Sequence, residues 1–267
     1  MSGVTLEPSI STGVFPELRV EDAIKRLAEI GWRNFELYSV HLANMDKSPD
    51  PQRAFSALRR LCEDLGVSIC AIHDNTQGVK PERLVKWAQI LGAKWIVVHP
   101  ATEKSPEENL KLVQKWVKAA RGFEVGIAIE NMHDMIPGIE GRRAFGAVPS
   151  ELLWLVQNTD PNVVGVCWDT CHAHVQKLDQ YKAIKALGRH LVHTHINDNI
   201  STSEEQHLAL FEGTIDWRAV MRALREIDYK GAFNTEGGVS VTSLPLHIRP
   251  IKLRYLLELM KAIIESL

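Results

Sequence analysis

Four residues in this chain have the chemistry to hold a cation and move protons, and each stands at the end of a short apolar run: Glu130 in "VGIAIENM", Asp169 in "VVGVCWDTCHAH", His195 in "LVHTHIND" and Glu236 in "FNTEGG". Two carboxylates near one reacting carbon can act as an acid-base pair. Oxygen and imidazole donors without a thiolate suit Mn2+, Co2+ or Zn2+, with Mg2+ also open. The stretch Trp168 to His174 gathers an aspartate, a cysteine and two histidines. It has no paired C-x-x-C spacing, so other segments must complete any site built on it.

The elements that would position these residues follow from periodicity. Runs such as "NFELYS", "VSICAIHD", "KWIVVHPA" and "GAFNTEGG", with "PSISTGVF" as the first, make eight strands, and segments with apolar residues at helical spacing separate them. Several helical segments open on capping residues or proline and close at glycine. Eight βα units without a glycine-rich phosphate fingerprint predict the α/β class, as a (β/α)8 TIM barrel forming one domain over residues 1–267. Roughly 20 residues separate strand and helix after the fifth and the seventh strand, long enough to expect function there.

Side chains alternate along a strand, which tests the candidate residues. If Asp169 points into the barrel, Cys167 and Gly165 follow it, and Val164, Val166 and Trp168 face the helices. Glu130 carries Ala128 and Gly126 inward, Glu236 carries Asn234 and Ala232, and His195 carries His193, with Val192 expected outward. His73, His99 and Glu36 join them from the third, fourth and second strands. All would crowd the carboxyl end of the barrel, where sites of this fold lie. So many ionisable groups in one pocket would repel or lose charge unless a divalent ion neutralised them.

Composition narrows the partners. The chain has 267 residues, 45% hydrophobic and 24% charged, a formal charge of -2, and no stretch long and apolar enough for a membrane span. A cytoplasmic protein acting on a small molecule is the expectation, with no membrane partner, and a homo-oligomer stays open. The four cysteines, Cys62, Cys70, Cys167 and Cys171, read as reduced packing thiols rather than a disulfide scaffold or a nucleophile.

With these motifs in order, the chain resembles the xylose-isomerase-like TIM barrels, comprising sugar isomerases, sugar epimerases and endonuclease IV. The resemblance covers nearly the whole chain and rests on Glu130, Asp169 with His172, His195, "EQHLALFEGTIDW" at His207, and Glu236. It implies a metal on Glu130, Asp169, His195 and Glu236, with Glu130 and Glu236 as the acid-base pair. Together they would isomerise or epimerise a sugar or sugar phosphate through a metal-stabilised enediolate. A keto-sugar lyase or dehydratase would use the same intermediate. The resemblance to endonuclease IV implies a multi-zinc abasic-site phosphodiesterase as the alternative, its extra ligands falling on His73, His99, His172, His207 and Glu205.

Loop composition argues against nucleic acid: "DNTQG" after His73 has no aromatic or basic residue, and "YSVHLANMDKSPD" has one lysine. His73, His99, His172 and His207 are therefore expected as substrate contacts or additional ligands. Glu36 and Arg142, with its neighbour Arg143, are candidate substrate contacts. The arginine found in ketohexose 3-epimerases a few residues past the seventh-strand histidine is absent from "HINDNIST". His193 is expected to support ligands from below, His174 to face solvent or a helix, and Trp87 and Trp116 to be core.

Overall fold

Local sequence signals set the helix ends. Ser105 and Glu108 form a reciprocal capping box at the start of a helix over Pro106–Ala120. Asp50 and Pro51 open the helix Pro51–Leu65, which stops at Gly66 in a left-handed conformation. The computed structural model describes residues 6–74, 79–135, 141, 143–200 and 202–266.

Eight parallel strands close into a barrel in chain order: β1 (Glu7–Ser11), β2 (Asn34–Leu37), β3 (Ser68–Asp74), β4 (Trp95–Val98), β5 (Gly126–Glu130), β6 (Val164–Asp169), β7 (Leu191–His195) and β8 (Ala232–Thr235). This is the expected (β/α)8 barrel. Its outer helices are α1 (Val20–Ile30), α3 (Pro51–Leu65), α4 (Pro81–Leu91), α5 (Pro106–Ala120), α6 (Pro149–Gln157), α8 (Gln180–Leu187), α9 (Trp217–Glu226) and α11 (Arg249–Glu265). Three short helices were not expected: α2 (Ser39–Asp46), α7 (Thr170–Val175) and α10 (Gly238–Thr242). They follow β2, β6 and β8 at the carboxyl end, and they are too short for apolar periodicity to announce them. No helix among the described residues is long and apolar enough to cross a membrane.

The strand alternation holds for nearly every residue. Ile127, Ile129, Val164, Val166 and Trp168 pack outward with the helices in the main core, whereas Ala71, Val97, Ala128 and Cys167 form a separate cluster inside the barrel. Val192 is the correction. It packs against the interior cluster, because the β6–β7 register passes from Leu191 straight to His193. The bulge adds one residue, so Val192 and the next two residues need not alternate. A matching skip at Cys70 between β2 and β3 turns that residue inward too. Trp95 and Val192 then fill the amino end of the barrel. Gly126 and Gly165 make room for them: a Cβ would lie 2.1 Å from the Trp95 ring or 2.5 Å from Val192.

Candidate metal centre

The cluster at the opposite end is set by the turns that leave the strands. Asp169 ends β6 and caps α7, its Oδ1 accepting from the His172 amide at 2.7 Å. One carboxylate oxygen is thereby committed to the backbone, Oδ2 is left facing the barrel axis, and His172 is placed one turn away. Asn131 ties β5 to β6: its Oδ1 accepts from the Asp169 amide at 2.6 Å and its Nδ2 donates to the Asp169 carbonyl at 3.0 Å. Asn197 does the same for the last two strands. Its Nδ2 donates at 2.9 Å to both Asp169 Oδ2 and Glu236 Oε2, and its Oδ1 accepts from the Glu236 amide.

Three groups of donors result. Around His195 Nδ1 lie Glu130 Oε1 at 3.1 Å, Glu236 Oε2 at 3.6 Å and Asp169 Oδ2 at 3.9 Å. Beside them, His73 Nε2, His99 Nε2 and Glu130 Oε2 are mutually 3.1 to 3.4 Å apart. On the other flank, Glu205 lies 3.3 Å from His172 Nε2 and 3.2 Å from His207 Nε2, and Asp169 Oδ2 is 3.7 Å from the same His207 nitrogen. Glu130 is shared by the first two groups and Asp169 by the first and third. His133, absent from the residues singled out in the sequence, donates from Nε2 to Glu205 Oε2 at 2.9 Å. It sits three residues beyond the strand-ending Glu130, just as His172 sits three beyond Asp169, and that parallel spacing was the available signal.

Burial and mutual charge oppose each other here. Burial works to raise the Glu130 carboxyl, and the His195 and His99 imidazoles outweigh it, holding the group well below its usual range. Burial likewise lowers the His172 imidazole, but Asp169 and Glu205 push it well above its usual value. Asp169 is different: burial pushes its carboxyl up despite His172 and His207, with Glu130 and Glu236 adding to the rise. His207 Nε2 is buried and has no hydrogen-bond partner among the described residues. Three carboxylates around one imidazole nitrogen, one of them resisting ionisation, fit a site made for a divalent cation.

The long segment after β7 is anchored by Asp198. Its carboxylate accepts from the amides of Asn199 and Ile215 and from Trp217 Nε1 at 2.9 Å, and its backbone pairs with Leu208. This bracing holds His207 in a left-handed conformation, φ 47°. A Cβ on Gly238 would come within 1.9 Å of the His207 carbonyl oxygen. A cleft of about 290 Å³ opens beside this contact, lined by Ser11, Tyr38, Glu205, His207, Glu236 and Thr242.

The remaining candidates are placed as follows. Glu36, a candidate substrate contact at the end of the second strand, is fully buried beneath the cluster and accepts from His193 Nε2 at 2.8 Å and His195 Nε2 at 3.0 Å. The cause is depth: Glu36 pairs with Ala71, two residues before His73 along β3, so its side chain lies one inward step beneath that histidine. Arg142 lies outside the described residues, and Arg143 is half-exposed in an ion pair with Glu151. Cys171 is buried with its thiol 3.2 Å from Asn199 Oδ1, and burial pushes it up, away from reactivity. His174 reaches Thr214, and Trp87 stacks on Phe55 in the core.

Barrel and ligand cluster together define a class, the TIM barrels with an acidic and histidine-rich site at the carboxyl ends of their strands. The profile of the family described as Xylose isomerase-like TIM barrel matches residues 24–239, and the chain belongs to that family. An uncharacterized protein of Methanocaldococcus jannaschii is 26% identical over 157 residues, covering 55% of this chain and 51% of the relative, so the chain spans about half of that relative's length. An uncharacterized protein of Mycobacterium leprae is 24% identical over 249 residues, covering 85% and 86%. Among solved structures, a D-tagatose 3-epimerase-like protein superimposes with TM-score 0.76 at 20% identity, covering 98% of this chain and 99% of that one. D-psicose 3-epimerase from Clostridium cellulolyticum H10, with D-tagatose, gives 0.78 at 16%, covering 97% and 99%. The IOLI protein with a binding zinc atom gives 0.75 at 14%, covering 98% of each chain. At these identities the likeness shows the fold.

Proposed function

We propose that this protein is a divalent-metal-dependent isomerase or epimerase of a sugar or sugar phosphate, working as a single domain. One observation carries the reading: Glu130 at the end of β5 and Glu236 just after β8 each turn a carboxylate oxygen toward the same His195 nitrogen, at 3.1 and 3.6 Å. A divalent ion such as Mn2+, Co2+ or Zn2+, held by Glu130, Asp169, His195 and Glu236, would polarise neighbouring carbonyl and hydroxyl oxygens and make the adjoining carbon-bound proton acidic. The two glutamates supply the proton traffic. One takes the proton from carbon and the other returns it. Return to the opposite face epimerises the sugar, and return to the neighbouring carbon interconverts aldose and ketose. Asn197 holds Glu236 and Asp169 in place before substrate arrives, so little reorganisation accompanies the reaction. The similar epimerase structures and the zinc-bound IOLI protein support the reading.

In deuterated water, the metal-loaded protein should place solvent deuterium on carbon in a ketose or keto-sugar. Glu130→Gln and Glu236→Gln should each slow this exchange by about 10²- to 10⁴-fold while unfolding as cooperatively as the parent. Exchange at the parent rate in either variant would remove the acid-base assignment. A keto-sugar lyase or dehydratase would show exchange together with loss of a leaving group; one similar structure is a probable 3-DHS dehydratase of Bacillus anthracis.

A second reading rests on the two flanking donor groups, His73 with His99 and His172 with Glu205 and His207. Three adjacent ions sharing Glu130 and Asp169 would suit phosphodiester hydrolysis. About three zinc ions per chain, nicking of an abasic-site duplex and no exchange on any ketose would favour it.

A further inference from the structure

We propose that Glu36 is a positioning residue that fixes the tautomers of His195 and His73 and thereby sets how tightly the cluster holds its ions. The proposal rests on the metal reading above. A carboxylate only accepts hydrogen bonds, so where Glu36 Oε2 lies 3.0 Å from His195 Nε2 and 2.8 Å from His193 Nε2, both imidazoles must donate. The proton of neutral His195 is therefore on Nε2. Its lone pair is on Nδ1, the atom facing Glu130, Glu236 and Asp169.

The other carboxylate oxygen does the same for the neighbouring group. Glu36 Oε1 and His73 Nδ1 are both buried without a hydrogen-bond partner among the described residues, and they face each other at 3.7 Å. A proton on His73 Nδ1, pointed at Glu36 directly or through one water, leaves the Nε2 lone pair aimed at His99 and Glu130. One carboxylate thus orients two histidines that belong to two donor groups, and those groups share Glu130.

Burial argues for a dedicated role. Glu36 and His195 are 0% exposed and His193 is 1% exposed, and an isolated carboxylate at such depth is strongly disfavoured unless its partners are exact in position. Carboxylates behind ligand histidines change metal affinity by about 10- to 100-fold in other proteins. Glu36 has the unusual feature of standing behind two.

The test is titration of chelator-stripped protein with Co2+ alone, read by its visible absorption and by the apparent dissociation constant. Glu36→Gln should fold, bind Co2+ about 10- to 100-fold more weakly and show a shifted visible spectrum, because the amide no longer dictates which imidazole nitrogen is free. Glu36→Asp keeps the charge and withdraws it by one methylene, and should fall between parent and Gln variant. If Glu36→Gln fails to fold, the Asp variant decides. An unchanged dissociation constant and spectrum in a folded variant, even with a lowered Tm, would make Glu36 merely structural and overturn the proposal. Absence of Co2+ binding by the parent would instead remove the metal reading itself.

Discussion

Asp169→Asn separates the two roles this aspartate combines. Asparagine caps helices as well as aspartate, so the bond from Oδ1 to the His172 amide and its roughly 1 kcal/mol survive. The amide nitrogen then faces Asn197 Nδ2, and one hydrogen bond of 2.9 Å is lost, about 1 kcal/mol. Against that loss, the variant removes a carboxyl that burial and the Glu130 and Glu236 charges already push up. The two effects oppose each other, so the metal-free variant should match the parent within about 1 kcal/mol, or about 2–4 °C in Tm. The response to metal should differ. At Zn2+ about 100-fold above its dissociation constant the parent gains about 2.7 kcal/mol, a rise of roughly 5–10 °C, and the variant should lose most of that rise. Thermal unfolding of chelator-treated protein with and without added Zn2+ measures both quantities. A full metal-induced rise in the variant would refute Asp169 as a ligand, and metal-free destabilisation beyond about 3 kcal/mol would show its role to be chiefly structural.

His172 is pushed up in the folded chain, so its contribution to metal-free stability is complete below about pH 6.5 and fades as pH rises through the folded value. The Tm difference between parent and His172→Gln, measured in chelator, should therefore shrink from pH 6 upward, and a constant difference would contradict this. Gly238→Ala should cost about 1–3 kcal/mol in urea unfolding and weaken metal binding, because the new methyl displaces the His207 backbone it would otherwise overlap. Asp198→Ala leaves two amides and Trp217 Nε1 without their buried acceptor. It should lower stability by about 3 kcal/mol or more and change Trp217 fluorescence before global unfolding.

Much of the site could be read from strand alternation because a period of two is a local property: once Asp169 or Glu130 is set inward, the sterics of the pleat place every second residue with it. The placements of Cys167, Ala128 and His195 followed directly. The exceptions arise where two strands disagree by one residue. The bulges at Val192 and Cys70 are properties of a pair of strands, invisible in either strand alone. The same limit hid His133, whose partner Glu205 lies 72 residues away.

From its sequence alone this chain determined an eight-unit barrel, the set of ionisable side chains turned inward at its carboxyl end, and Glu130, Asp169, His195 and Glu236 as the candidate ligands among them. Only the tertiary structure decided how the inward ionisable groups divide into three clusters, that Glu36 lies beneath two histidines, and which imidazole nitrogen each histidine turns to the cluster. Residue types and spacing are written along the chain. Depth and ring orientation depend on how the closed barrel staggers strands far apart in sequence.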